Sequence, residues 1–160
     1  MITSRYMNRL EKDINRFIVM CIEVFTKDKF IPGKESYLIM EESKLFDELV
    51  NDFEDLHGMS SSFLVYYIDQ LIPQKNVELS NIEKSNHLQT NLGVKIIIIS
   101  PVIEMISEKY RLPLKESRKL LYQSEVINLI EDDETGLCGE DPSFSFQLFV
   151  SKKEGLPFEY

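Results

Sequence analysis

Apolar residues early in the chain recur at helical spacing. Ile14, Phe17, Ile18, Cys21, Ile22 and Phe25 stand three and four apart, while Asp13, Asn15, Arg16 and Glu23 take other faces, which predicts an amphipathic helix over residues 12–28. Phe30-Ile31-Pro32-Gly33 stops it, because proline drives the residue before it out of the helical region. A shorter helix follows from about Gly33 to Glu42. Pro32 opens it, where a missing N–H costs nothing, and Glu35 meets the positive end of the helix dipole. Ser43 reads as the N-cap of a third helix whose stripe is Leu45, Phe46, Leu49, Val50 and Phe53, closed by Asp52, Glu54 and Asp55. Beyond a Leu56-His57-Gly58 loop, Ser60-Ser61-Ser62 caps a fourth helix from Phe63 to Leu71, which ends at Pro73.

The same plan returns later in the chain. Residues 22–63 lie over residues 103–144 at a constant offset of 81, with Ile22-Glu23 on Ile103-Glu104, Pro32 and Lys34-Glu35-Ser36 on Pro113 and Lys115-Glu116-Ser117, and Ser43 on Ser124. Leu56 and Gly58 fall on Leu137 and Gly139, and Ser62-Phe63 on Ser143-Phe144. One unit written twice predicts an all-α fold: two tandem copies of a roughly four-helix unit, packed with pseudo-twofold symmetry. The boundaries are residues 1–73, a polar linker over 74–92, and 93–160 with a tail, Ser151 to Tyr160, that reads as extended.

Local pattern and repeat disagree at two places. The β-branched run Ile96 to Ile99, ahead of Ser100-Pro101, reads as a strand followed by a helix, and Phe144 to Val150 alternates with period two. The repeat assigns both to helices, the first interrupted by Pro101, and the repeat is followed here.

Composition narrows the class. Apolar residues make up 43% of the 160, and only six glycines and six prolines are present, too few for a turn-rich all-β fold. A net charge of −9 opposes nonspecific binding to nucleic acid, whose phosphates require a basic face, and suits a basic protein partner. Cys21 and Cys138 form no disulfide framework, which fits a reducing cytoplasm. The apolar run Phe17 to Ile22 is too short for a signal segment, and Ile96 to Ile103 is far short of a membrane span.

Candidate chemistry is sparse. Glu23 and Glu104 are repeat equivalents; two carboxylates across an inter-repeat cleft could do acid–base work, the basis for an alternative reading as a small hydrolase or transferase. Structural ion pairing is the ordinary role of such residues. His57 and Cys138 are also equivalents, but zinc takes four ligands and only His87 remains as a further His or Cys candidate. Asp132-Asp133-Glu134-Thr135-Gly136 lacks the spacing of an EF-hand loop and reads as a solvated acid cluster. Serines ahead of an apolar helix are caps before they are nucleophiles, and no glycine-rich phosphate loop or other cofactor motif is present. The aromatics of the fourth helix of each copy are mostly core, yet Tyr66 and Tyr67 are adjacent, so one must face outward. The residues expected to meet a protein partner are Tyr66, Tyr67, the acids Asp132, Asp133 and Glu134, and Leu156, Phe158 and Tyr160 of the tail.

Cys21-Ile22-Glu23, Gly33-Lys34-Glu35 and Leu56-His57 resemble the pattern of a family of small bacterial helical proteins of unassigned function. Glu108-Lys109-Tyr110, Leu112, Lys115-Glu116 and Asp132 to Leu137 with Gly139 resemble that of a companion family. Pro32 and Pro113 stand where those patterns often carry a capping serine, so the capping box is missing here. The resemblance implies a partner of a toxin-like gene, in some cases an ADP-ribosyltransferase-like toxin, and hence a non-catalytic antitoxin or immunity role. It implies no catalytic residue and no cofactor. Self-assembly, as in a homodimer, is the remaining alternative.

Overall fold

A computed structural model describes residues 8–72 and 92–157; the linker expected over 74–92 lies outside them except for Leu92, and so do His87, Phe158 and Tyr160. Among the described residues there are nine α-helices and no strand. They are α1 Arg9–Lys29, α2 Gly33–Glu42, α3 Leu45–Asn51, α4 Phe53–Leu56, α5 Ser61–Leu71, α6 Leu92–Tyr110, α7 Leu114–Tyr122, α8 Glu125–Glu131 and α9 Pro142–Glu154. Two 3₁₀ turns, Asp133–Thr135 and Leu137–Gly139, join α8 to α9. Among the described residues, no helix is long and apolar enough to cross a membrane.

The helix ends follow from local chemistry. The Asn8 side chain caps α1 by accepting from the Glu11 N–H at 2.8 Å. At the other end Phe30 takes a left-handed conformation (φ 56°), and the Ile31 N–H closes on the Thr26 carbonyl. The end of α6 repeats this: Arg111 has φ 56° and the Leu112 N–H reaches the Ser107 carbonyl. A non-glycine residue in that conformation is costly; Ile31, fully buried, supplies the apolar contact that offsets it. Ser60 and Ser124 cap α5 and α8 as expected.

Four expectations are corrected. Ser43 does not cap α3; it closes α2, and a left-handed Lys44 (φ 57°) precedes α3 with no side-chain cap. The expected third helix breaks at Asp52 into α3 and the single turn α4. The fourth helix starts at Ser61 rather than Phe63. Residues 151–154 belong to α9 instead of an extended tail, which turns only at Gly155 (φ 69°). The two ambiguous runs, 94–100 and 144–150, are helical, and Pro101 lies inside α6. Their apolar residues are spent on tertiary packing: Ile98, Ile99, Val102, Ile103, Ile106 and Phe149 are buried, and that burial outweighs β propensity.

α1 and α6 pack on each other at the centre. They run antiparallel, because Lys12 lies by Glu104 while Asn15 lies by Ser100. α2, α3 and α5 gather on α1; α7, α8 and α9 gather on α6; and α2 also packs against α7 and α8. Helix starts track the repeat: Gly33 and Leu114 differ by 81, as do Ser61 and Pro142. Ile18, Cys21 and Ile22 of α1 share one continuous core with Ile99, Val102 and Ile103 of α6. Each fully buried aliphatic side chain there stabilises the fold by roughly 1.5–3 kcal/mol.

Candidate functional site

Polar groups from five helices and one 3₁₀ turn converge where the first half meets the second. Glu23 of α1 and Glu131 of α8 bring two carboxyl groups into the interior, and both are buried. Tyr122 of α7 donates its hydroxyl to Glu23 Oε2 at 2.8 Å, and the Gly33 N–H at the start of α2 donates to Glu131 Oε1 at 2.9 Å. Lys95 of α6 is fully buried; its ammonium donates to the Glu131 carbonyl at 2.8 Å and lies 2.6 Å from Asp133 Oδ1. Gly33 is required by space. A Cβ there would lie 2.0 Å from Glu131 Oε2.

Burial disfavours charge on both carboxyls, and mutual repulsion adds to it. Desolvation raises the pKa of Glu23 despite hydrogen bonds from Glu131 and Tyr122 and the nearby Lys95 charge. Desolvation, followed by the charge of Glu23, raises Glu131 well above the usual carboxylate range. Burial, then the charges of Glu23 and Glu131, likewise pushes the Tyr122 phenol up.

A second buried cation lies beside this cluster. The Arg118 guanidinium donates to Asn15 Oδ1 at 3.1 Å and lies over the Phe46 ring at 5.8 Å, and Asn15 in turn donates to the Ser100 carbonyl at 3.3 Å. Burial lowers its pKa to about 10. The Tyr122 ring stacks on Tyr37 with centroids 5.5 Å apart.

The expected Glu23–Glu104 site does not form. In the antiparallel pair Glu104 stands opposite Lys12 at 3.9 Å, eleven residues before Glu23, so the two glutamates are about 16 Å apart along α1. Glu23 finds Glu131 instead. Sequence reading missed Glu131, Lys95, Tyr122 and Arg118. The available signal was charge within apolar helical runs: Lys95 beside four isoleucines, and Glu131 directly after Leu129-Ile130.

The other sequence candidates are placed as follows. His57 Nδ1 lies 2.9 Å from the Phe53 carbonyl and its ring stacks on Phe53, away from Cys138 chemistry. Among the described residues, no three His, Cys, Asp or Glu side chains come together as a metal site. Ser60 accepts from the Phe63 N–H at 3.2 Å, which is its capping role. In the acidic loop Asp132 caps a 3₁₀ turn, Asp133 turns in toward Lys95, and Glu134 is exposed. Tyr66 faces outward at 62% exposure; Tyr67 donates its hydroxyl to Asp52. Leu156 is exposed on the rim of an open groove of about 250 Å³ shared with Lys109, Phe146, Val150 and Pro157.

The polar cluster could move a proton between its carboxyls, but its side chains are closed off from solvent. Large apolar side chains are exposed on several elements, among them Val94 and Ile97 of α6, Leu156, and a group at the start of α5. Phe63 and Tyr66, three apart on α5, share one exposed face, and Met59, ahead of the helix, is exposed nearby in sequence. From Leu45 to Ile72 the chain carries Asp47, Glu48, Asp52, Glu54, Asp55 and Asp69, and no lysine or arginine. These acids bear on the neighbouring Tyr67: the hydrogen bond to Asp52 foremost, then burial and the charges of Asp52, Glu48 and Asp55, pushes its phenol up to about 12. No family model matches the chain, and neither curated proteins nor solved structures yield a match.

Proposed function

We propose that this protein is a non-catalytic, acidic protein-binding module of the cytoplasm that sequesters a basic partner, as an antitoxin or immunity protein does. The observation that supports this reading best is the exposed group of Met59, Phe63 and Tyr66 in a segment whose charges are all acidic. Acidic residues steer a basic surface into contact, and large exposed side chains at the centre of a patch supply the anchors that hold it. Glu134 and Leu156 extend the candidate contact surface in the second half. Against a toxin that binds NAD or another phosphate-bearing substrate, the carboxylates would occupy the place of the phosphates. Two tandem copies about a pseudo-twofold axis would offer two related acidic faces.

The enzyme alternative draws its support from the Glu23–Glu131 pair, and the burial of both side chains counts against it. Co-expression with the products of the flanking genes tests the lead reading. A stoichiometric complex that weakens in salt, and is lost in a Phe63→Ser, Tyr66→Ser double variant that still folds, supports it. A chain that binds neither neighbouring product removes it.

A further inference from the structure

The two buried carboxyl groups have four oxygens and too few donors. Glu131 Oε1 takes the Gly33 N–H, and Glu23 Oε2 takes the Tyr122 hydroxyl. Glu23 Oε1 and Glu131 Oε2 are buried and, among the described residues, meet no donor from outside the pair, although the two carboxyl groups are within hydrogen-bonding reach of each other. Unmatched buried oxygens are costly, and two bare carboxylates at that distance repel. One proton between them satisfies both oxygens.

The surrounding charges agree. Lys95 from α6 bears on both carboxyls and Tyr122 from α7 donates to Glu23, while Asp133 of the 3₁₀ turn and Arg118 of α7 lie one contact further out, on Lys95 and beside Tyr122. The start of α2 contributes the Gly33 N–H, and its Tyr37 stacks on Tyr122. The fully buried Lys95 ammonium supplies one positive charge beside the pair, and a singly protonated carboxyl pair supplies one negative charge. With one proton the buried set is neutral. Without it the interior carries an uncompensated negative charge, which a low-dielectric interior resists.

We infer that Glu23 and Glu131 share one proton in the folded protein at neutral pH, and that this proton is a latch holding α8 against α1 and α2, so that losing it loosens the seam between the two halves. The sign follows from linkage. In the unfolded chain both glutamates release their protons near the ordinary value of about 4.3. The folded pair retains one to higher pH, so the folded state binds more protons there and stability falls as pH rises. The contribution is complete below the unfolded value and is lost as pH climbs through the folded one. While the proton is retained, each pH unit lowers the folded-to-unfolded ratio by up to about tenfold.

The test uses the full chain and ¹³C-labelled glutamate. A carboxyl-carbon titration should show one of the two groups, or their shared average, still protonated at pH 7, and urea midpoints should fall from pH 5 to pH 9. Glu131→Gln keeps an oxygen for the Gly33 N–H and provides an N–H for Glu23, imitating the protonated state permanently. It should remove that slope, as should Glu23→Gln. At pH 9, hydrogen exchange at Gly33, corrected for intrinsic rate, should be faster in the wild type than in Glu131→Gln. Two fully ionised carboxylates at pH 7, or a slope unchanged in both variants, would overturn the latch. If neither variant folds, the wild-type carboxyl titration decides alone.

Discussion

Gly33→Ala attacks the closest approach between the two halves. The added methyl would lie 2.0 Å from Glu131 Oε2, 2.7 Å from its Cδ and 2.8 Å from Oε1. That carboxyl is not a free end that can swing away: the Gly33 N–H holds it on one side and Glu23 lies on the other. Forcing it aside is an overpacking cost of about 1–3 kcal/mol. Breaking its hydrogen bond to the amide adds roughly 1.5–3 kcal/mol if the acceptor is ionised, and about half that if it is protonated. Alanine's helical preference returns at most about 1 kcal/mol, less at a first-turn position. The expected net loss is about 2–4 kcal/mol. Urea unfolding followed by circular dichroism measures it; with a slope of about 1–3 kcal/mol per molar, the midpoint should drop by roughly 1–2 M. Gly58→Ala is the control, because a Cβ there meets nothing within 4 Å, and its shift should stay within about 0.5 kcal/mol. If the two variants unfold at the same midpoint, the interior does not close around Gly33 as described.

Two further substitutions probe the helix ends and the buried cation. Ser60→Ala removes the bond to the Phe63 N–H and should cost about 0.5–2 kcal/mol, whereas Ser43→Ala, at a position that caps nothing with its side chain, should be near neutral; equal thermal shifts would contradict that assignment. Lys95→Met removes the ion pair with Asp133 and the bond to the Glu131 carbonyl and should cost about 1.5–3 kcal/mol, of which Asp133→Asn in the same chain should recover a measurable part. A double-mutant cycle showing no coupling between Lys95 and Asp133 would reject that pair.

Part of the site was within reach of sequence reasoning. Glu23 recurs as Glu104, but the repeat points it to the wrong partner. Equivalent residues on two antiparallel helices lie near each other only at the crossing point, and Glu23 is well away from it. Adjacent helix positions point apart, and Tyr66 faces outward while Tyr67 is part-buried and hydrogen-bonded to Asp52. The inward turn of Asp133 had no local signal, because it depends on where the ammonium of Lys95 ends. Ser43 and Ser124 are identical in sequence but not in role: a left-handed Lys44 separates Ser43 from its helix, while Ser124 adjoins Glu125 directly.

By itself the sequence determined the helices. Their apolar spacing, their prolines at 32 and 113 and their serine caps are short-range properties, expressed within a turn or two of the residues that carry them. It also determined the acidic character of the chain, a net charge of −9 that needs no folding to be counted. Only the tertiary structure decided which charges are buried together. Gly33 meets Glu131 across 98 residues, Tyr122 meets Glu23 across 99, and Arg118 meets Asn15 across 103. No periodicity encodes such distances. They arise because burying the stripes of α1 and α6 on each other carries the polar residues beside those stripes into one enclosed space, where each must find a partner or a proton.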